Sequence, residues 1–434
     1  MKKRALVWFK TDLRLHDNEV LTQALMHADE IIPVYCLDES LYGITSFGFQ
    51  KTGAFRFTFL WESLLDLHQQ LQNKGSSLIV VKGKPERVIP ELARQWEVTK
   101  VYTKKEVAHE ERLSMERVEK ELWKSLCPLE TFSTSTLYHA LDLPYALKDI
   151  PDVFTTFRKK TEKESEVRPV FATPERIPSP VLEQSFPRAE EMGIRLKKTD
   201  QRAVYVFKGG ESAGLERLND YLYGSHAINT YKETRNGMLE PNDSSRLSPW
   251  LSMGCLSPRQ IYHAIKKYED EFGANDSTYW LIFELIWRDY FRFMMKKHHN
   301  RYFMQSGLRA DTVLNGHREE EFRKWVEAKT GNDFIDANML ELKLTGYMSN
   351  RGRQNVASYL CHDLKGDWRY GAAYFEQQLI DYDVCSNWGN WAYLAGVGND
   401  PRGVRQFNTQ KQADEYDKHG TYRQRWLVNT KTEK

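Results

Sequence analysis

Short apolar runs separated by stretches of helical spacing fill the first 130 residues, and no other feature narrows the fold so far. ALVWF (5–9), EIIPVYCL (30–37), SLIVV (77–81) and KVYT (100–103) are β-branched or aromatic and bounded by turns, with LETFS (129–133) a candidate fifth strand. Residues 52–72, 86–96 and 109–122 between them show helical periodicity with charged faces. Strands joined through helices pair in parallel, so the alternation predicts a Rossmann-like α/β layer with its sheet covered on both faces. The usual phosphate loop is missing. KTDLRLHDN (10–18), after the first run, contains no glycine, and neither GxGxxG nor a Walker A sequence follows. That weighs against dehydrogenases and P-loop kinases.

At 434 residues the chain exceeds one ordinary hydrophobic core. The expected division is an α/β domain over 1–132, a linker over 133–208 broken by prolines, and an all-helical domain over 209–434. Helical periodicity in the last part marks 213–224, 258–272, 279–297, 319–328 and 353–364.

With 41% hydrophobic residues and no apolar run of membrane-spanning length, the composition is that of a soluble protein, and the first ten residues lack a secretory h-region; a cytosolic location is expected. Five scattered cysteines with no CxxC pair read as buried free thiols and argue against a zinc or iron–sulfur site. A net charge of +2 leaves a nucleic-acid partner open, since local patches set phosphate affinity. Eight of the twelve tryptophans lie in the last 185 residues, which suits ordinary core but also a flat cofactor or unstacked bases.

Four segments carry chemistry. SSRLS (244–248), following Tyr231 and Arg235, offers hydroxyls and backbone N–H groups for a pyrophosphate; from local sequence alone it reads more readily as a helix cap before Pro249. In YWLIFELIWRDYFRF (279–293), Glu284, Trp287 and Arg288 share a face of a largely buried helix, either as an internal Glu284–Arg288 ion pair or as a binding floor. In TGYMSNRGRQNVAS (345–358), a helix beginning near Asn350 and capped by Ser349 would align Asn350, Arg353 and Gln354. In LIDYDVCSNWGNWAYLAGVGNDPR (379–402), Asp383, Asn387 and Trp391 repeat every four residues beside Asp381, as a polar network or as partners of a ring system.

These segments in this order, with VWFKTDLRLHDN at the start, resemble the photolyase/cryptochrome family over nearly the whole chain. The resemblance implies a helical domain that alone binds FAD. Tyr231, Ser244, Ser245, Arg246, Leu247 and Ser248 would take its diphosphate and ribose side, and Arg288, Asn350, Arg353, Asp381, Asp383 and Asn387 would surround the flavin. Glu284, Trp287, Asn350, Gln354 and Tyr393 would line a DNA lesion pocket, and Trp391 and Trp368 would begin an electron-transfer chain. A folate antenna, 5,10-methenyltetrahydrofolate, is expected between the domains with Glu106 as a contact. Gln354 and Tyr393 stand where ordinary cyclobutane-dimer photolyases resemble one another in methionine and tryptophan, and Arg351 where a (6–4) photolyase would carry histidine. These departures resemble the DASH type.

The implied activity is light-driven repair of cyclobutane pyrimidine dimers, preferably in single-stranded DNA, by a monomer. A blue-light signalling photoreceptor is the alternative, weakened by the short tail after Trp426. A third relay tryptophan is implied about ten residues before Trp325, but Val313, Leu314, Asn315 and Gly316 stand there. Flavin photoreduction is therefore expected to be inefficient or to end on another donor, with Tyr302 and Trp325 as candidates.

Overall fold

Strands form where the apolar runs stand: β1 (Arg4–Phe9), β2 (Glu30–Asp38), β3 (Ile79–Gly83), β4 (Lys100–Lys104) and β5 (Leu129–Phe132). The computed structural model describes residues 2–182, 186–193, 195–309 and 315–428. Every strand pair is parallel, in the order β3-β2-β1-β4-β5. The crossovers run through α1 (Glu19–His27), α2 (Ala54–Asn73), α3 (Pro85–Gln95) and α4 (His109–Trp123). Helix α1 is an addition to the sequence reading; Asn18 caps it by accepting from the N–H of Leu21 (3.1 Å).

The alternation of β1 divides its side chains between two cores. Leu6 and Trp8 pack with residues of α3 and α4, whereas Ala5, Val7 and Phe9 belong to a core continuous with the helical half. Strand order reverses beside β1, which opens a crevice at the carboxyl ends of the strands.

Among its described residues the proline-rich stretch holds one α-helix, α5 (Phe154–Glu164), besides short 3-10 turns. Beyond it come α6 (Glu211–Asn219), α7 (Tyr231–Thr234), α8 (Ser248–Ser252), α9 (Pro258–Phe272), α10 (Asp276–His298), α11 (Glu319–Val326), α12 (Asp333–Thr345), α13 (Asn350–Ser358), α14 (Trp368–Gln378), α15 (Val384–Leu394), α16 (Thr409–Tyr416) and α17 (Thr421–Leu427). The axis is α10, whose 23 residues extend about 34 Å. Midway along it, Asp289 accepts from the N–H groups of Leu137 (2.8 Å) and Tyr138 (2.9 Å), tethering the proline-rich stretch to the helical half.

The glycine-free loop 10–18 is a joint. Arg14, fully buried, donates to the carbonyls of Gly254 (2.8 Å), Asp17 (2.9 Å) and Thr134 (3.3 Å). Asp17 accepts from Arg259 (2.6 Å) and Ser257 (2.5 Å), while Glu211 accepts from the N–H groups of Leu15 (2.8 Å) and His16 (3.1 Å). Gly254 has a φ of +66°, and a Cβ there would stand 2.1 Å from the carbonyl oxygen of Thr11. The backbones meet too closely for any side chain.

Candidate functional site

The loop before α8 is shaped by Arg217, a buried residue of α6. Its guanidinium donates to the carbonyls of Pro241 (3.1 Å), Ser244 (3.2 Å) and Ser245 (3.1 Å) and to the side chain of Asn242 (2.8 Å). In a trans peptide the N–H points opposite to the carbonyl, so the amides of Ser245 and Arg246 turn away from Arg217. Among the described residues, the N–H groups of Ser245, Arg246, Leu247 and Ser248 have no protein acceptor. Arg246 holds a φ of +55° and donates to the carbonyls of Glu240 and Pro241 (3.0 Å each).

Caps set the opposite wall. Ser349 accepts from the N–H of Gly352 (3.1 Å) to start α13, and Asp383 accepts from the N–H of Ser386 (2.8 Å) to start α15. Asn350, Arg353 and Gln354 then align on α13, and Asn387 and Trp391 follow Asp383 on α15. Just before the cap, Asp381 accepts from Ser248 (2.6 Å) and Arg353 (2.8 Å) through Oδ2. Its Oδ1 is buried and has no partner among the described residues. A buried carboxylate oxygen left open is costly, so the site is built to receive a donor.

The two walls enclose adjoining compartments of about 480 and 100 Å³ that share Asn350 and Gln354. The larger is lined by Tyr231, Ser244, Ser245, Arg246, Leu247, Ser248, Glu284, Trp287, Arg288 and Tyr393; the smaller by Arg353, Asp381, Asp383, Asn387 and Trp391. All lining residues fall after residue 230.

The internal Glu284–Arg288 pair does not form. Glu284 bonds Arg235 (2.7 Å); Arg288 donates to the carbonyls of Ser135 and Leu251 (3.2 Å) and lies 3.9 Å from Asp383. Burial raises the Glu284 carboxyl above its ordinary value, with Arg235 opposing the shift. Burial pushes Asp383 the same way, but Arg288 and Arg292 outweigh it and keep that carboxyl low. Trp287 is backed by the ring of Phe154 at 3.5 Å and 11°, and Tyr393 meets it edge-on at 6.0 Å.

Residues 5–180 match the family described as DNA photolyase, and residues 280–433 match the FAD binding domain of DNA photolyase. The chain belongs to the photolyase/cryptochrome family. Its DASH character is equally plain: it is 48% identical over 432 residues to the cryptochrome DASH of a Synechocystis strain, covering 98% of this chain and 88% of that one. The crystal structure of a Synechocystis cryptochrome superposes with a TM-score of 0.95 at 47% identity, covering 99% of this chain and 90% of the other. A class III photolyase from Agrobacterium tumefaciens superposes at 0.85 with 26% identity, over 99% and 88% of the two chains.

A flavin dinucleotide fits the donor set that a photolyase-type domain must satisfy. The open amides of 245–248 are donors that would hold its phosphates, and the free oxygen of Asp381 is an acceptor that would take a ring N–H. Two of the expected family residues lie elsewhere. Trp368 is buried outside both compartments, donating to the carbonyl of Gln305 (3.0 Å). Glu106 lines a separate cavity of about 490 Å³ at the carboxyl ends of the strands, ion-paired with Arg292 (2.9 Å), Lys104 (3.4 Å) and Lys10 (3.8 Å). Burial opposes its charge, yet these three cations lower the carboxyl to about 2. Of the expected gap in the family's relay, Val313 and Leu314 lie outside the described residues; Asn315 donates to the carbonyl of Cys361 (2.9 Å).

Three contributors escaped the sequence reading. Arg217 lies in an unremarkable amphipathic helix, and Phe154 in a stretch read as linker. Arg405 lies three residues past Arg402, the last residue of the fourth motif, and both line the larger compartment beside Arg235 and Arg351.

Proposed function

We propose that the chain is a light-driven photolyase that repairs cyclobutane pyrimidine dimers, with a preference for single strands. The observation that carries this reading is the juxtaposition, in one cavity, of open flavin-type partners with the lesion-type set Glu284, Trp287, Gln354 and Tyr393. Reduced FAD, when bound and excited, supplies one electron to the dimer and takes it back after the ring opens.

The protein's part is to seat the flipped dimer and hold its polar edge. Phe154 backs Trp287 where it lines the cavity, and a pyrimidine stacked on that indole would gain about 1–3 kcal/mol. Glu284, held by Arg235, faces the carbonyl and imide edge of a bound dimer, with burial raising its carboxyl above the ordinary range. Arg351 donates to Oε1 of Gln354 (3.0 Å), which leaves that side chain's N–H₂ to donate as well. Arg402 and Arg405 suit the flanking phosphates. Flipping a dimer from a duplex costs stacking and pairing energy that a single strand has already lost, which supports the strand preference. The cavity is complete within one chain, so a monomer suffices.

Glu106 and its cavity at the strand ends support a folate antenna: a pterin edge donates two N–H groups to a carboxylate. Illumination of the reduced protein with dimer-bearing oligonucleotides tests the main reading. Single strands should be repaired faster than duplexes at matched salt, and Trp287→Ala should weaken binding of damaged strands. Flavin photochemistry without any dimer splitting would favour the signalling reading instead.

A further inference from the structure

We propose that Arg351 makes the cavity select dimers of thymine or uracil over dimers of cytosine, by fixing the side-chain amide of Gln354 with its N–H₂ towards the substrate. The proposal rests on a pyrimidine dimer occupying the cavity that Gln354 lines.

A guanidinium carries N–H donors and no acceptor, so an amide that meets it must turn its oxygen that way. Arg351 meets three such amides: Nη1 donates to Oε1 of Gln354 (3.0 Å) and to Oε1 of Gln412 (3.5 Å), and Nη2 donates to Oδ1 of Asn236 (3.1 Å). The guanidinium also lies over the ring of Tyr416, 4.6 Å from its centroid. Asn236 follows α7, Gln412 and Tyr416 belong to α16, and Arg351 stands on α13, so separate segments hold one cation in place. Gln412 accepts in turn from Asn355 (3.3 Å). Gln354 stands one turn beyond Arg351 on the same face of α13. With Oε1 bound to Arg351, the N–H₂ is what remains, and among the described residues no acceptor meets it.

Gln354 lines both compartments and so stands where they join, whereas Arg402 and Arg405 line the larger one alone. A base whose sugar and phosphates stay with those arginines enters with its 4-position leading, because the glycosidic nitrogen and the neighbouring O2 remain beside the sugar. Thymine and uracil carry a carbonyl oxygen at that position, and cytosine an amino group. The oxygen accepts from the N–H₂ of Gln354. The amino group sets donor against donor, and Arg351 keeps the amide from turning round to meet it. Glu284, paired with Arg235, does not make this distinction, since carboxylate oxygens accept from an imide N–H and from an amino group alike. Two opposed donors, each left without an acceptor, cost about tenfold or more in affinity.

The test is binding of single strands in the dark by the FAD-loaded full chain, measured in the cold by fluorescence anisotropy. The strands differ only in the dimer, two thymines in one and two 5-methylcytosines in the other. The methyl groups then match, and only the exchange of carbonyl for amino group separates the two. The parent should hold the thymine dimer about tenfold more tightly. In Arg351→Ala the amide is free to turn, and the ratio should fall towards one. Arg351→Lys keeps a donor for Oε1 and should retain part of the preference. Gln354→Glu replaces the N–H₂ with an acceptor and should reverse it. A general loss of binding scales both affinities, so a merely structural role for Arg351 would leave the ratio intact. Equal affinity of the parent for the two dimers, or an undiminished ratio in Arg351→Ala, would overturn the selection. A parent that binds damaged and undamaged strands alike would overturn the lesion reading beneath it, and the selection with it.

Discussion

Two loops of the molecule are rich in hydroxyl, acidic and basic side chains, and both sit where a chain turns from one element into a helix. In loop 10–18, Arg14 and Asp17 are spent on protein partners, and Glu211 closes two of the loop's amides. In loop 241–248, Arg217 takes the carbonyls while successive amides face an empty volume, with Asp381 opposite holding one oxygen free. The first binds the two halves of the molecule together; the second is open for a ligand. Residue types do not distinguish them. What distinguishes them is which polar groups the fold leaves without partners.

The largest expected effect breaks the closed loop. Asp17→Ala removes the carboxylate hydrogen-bonded to buried Arg259, and should lower stability by about 3–5 kcal/mol in a denaturant titration. The FAD content of the remaining folded protein should not change. Loss of flavin at unchanged stability would mean that the two loops are not separable as argued.

A smaller effect is expected in the open loop. Asp381→Ala removes the acceptor of Ser248 and Arg353 together with the free oxygen, and should weaken FAD retention by about 2–3 kcal/mol, measured by flavin release on dilution. Asp381→Asn keeps an acceptor and should fall between the parent and the alanine variant. Equal retention in all three would remove Asp381 from the flavin contacts.

The smallest effect is one of pH. Burial, opposed by the amides of Leu15 and His16, raises the Glu211 carboxyl to about 7. A carboxyl whose folded value is raised holds its proton more tightly in the folded state. Its favourable contribution is therefore complete below the unfolded value near ~4.3 and is lost as pH rises towards 7. Stability measured from about pH 5 to pH 8 should fall more steeply in the parent than in Glu211→Gln. Parallel curves would place the titration elsewhere, since Asp289 and Glu341 are raised to about 7 as well.

The strands were legible because a parallel sheet buries both faces and so leaves unbroken apolar runs. Helix α10 was legible through the helical periodicity of 279–297. Helix α12 was not: Phe334 through Leu342 are buried without interruption, Asp336, Asn338 and Glu341 among them, so no polar face marks its period. Around the cavity, the motif residues carried by α13 and α15 could be aligned by counting turns. Arg217 and Phe154 could not, because their importance lies in contacts with segments 24 or more residues away, which no local pattern records.

Loop 10–18 also sets a timetable for synthesis. Arg14 leaves the ribosome 240 residues ahead of Gly254, the carbonyl that completes its shell. The fifth strand is complete at Phe132, so at about 5–20 residues per second roughly 6–24 seconds pass in which the sheet's strands are all made but the loop rising from β1 has no lid. Arg14 and Asp17 must wait in water, since neither can be buried alone. The nascent α/β half should therefore carry one protease-sensitive edge, at 10–18, that vanishes only once the segment through Arg259 has emerged; cleavage of ribosome-stalled chains on either side of that length would reveal it.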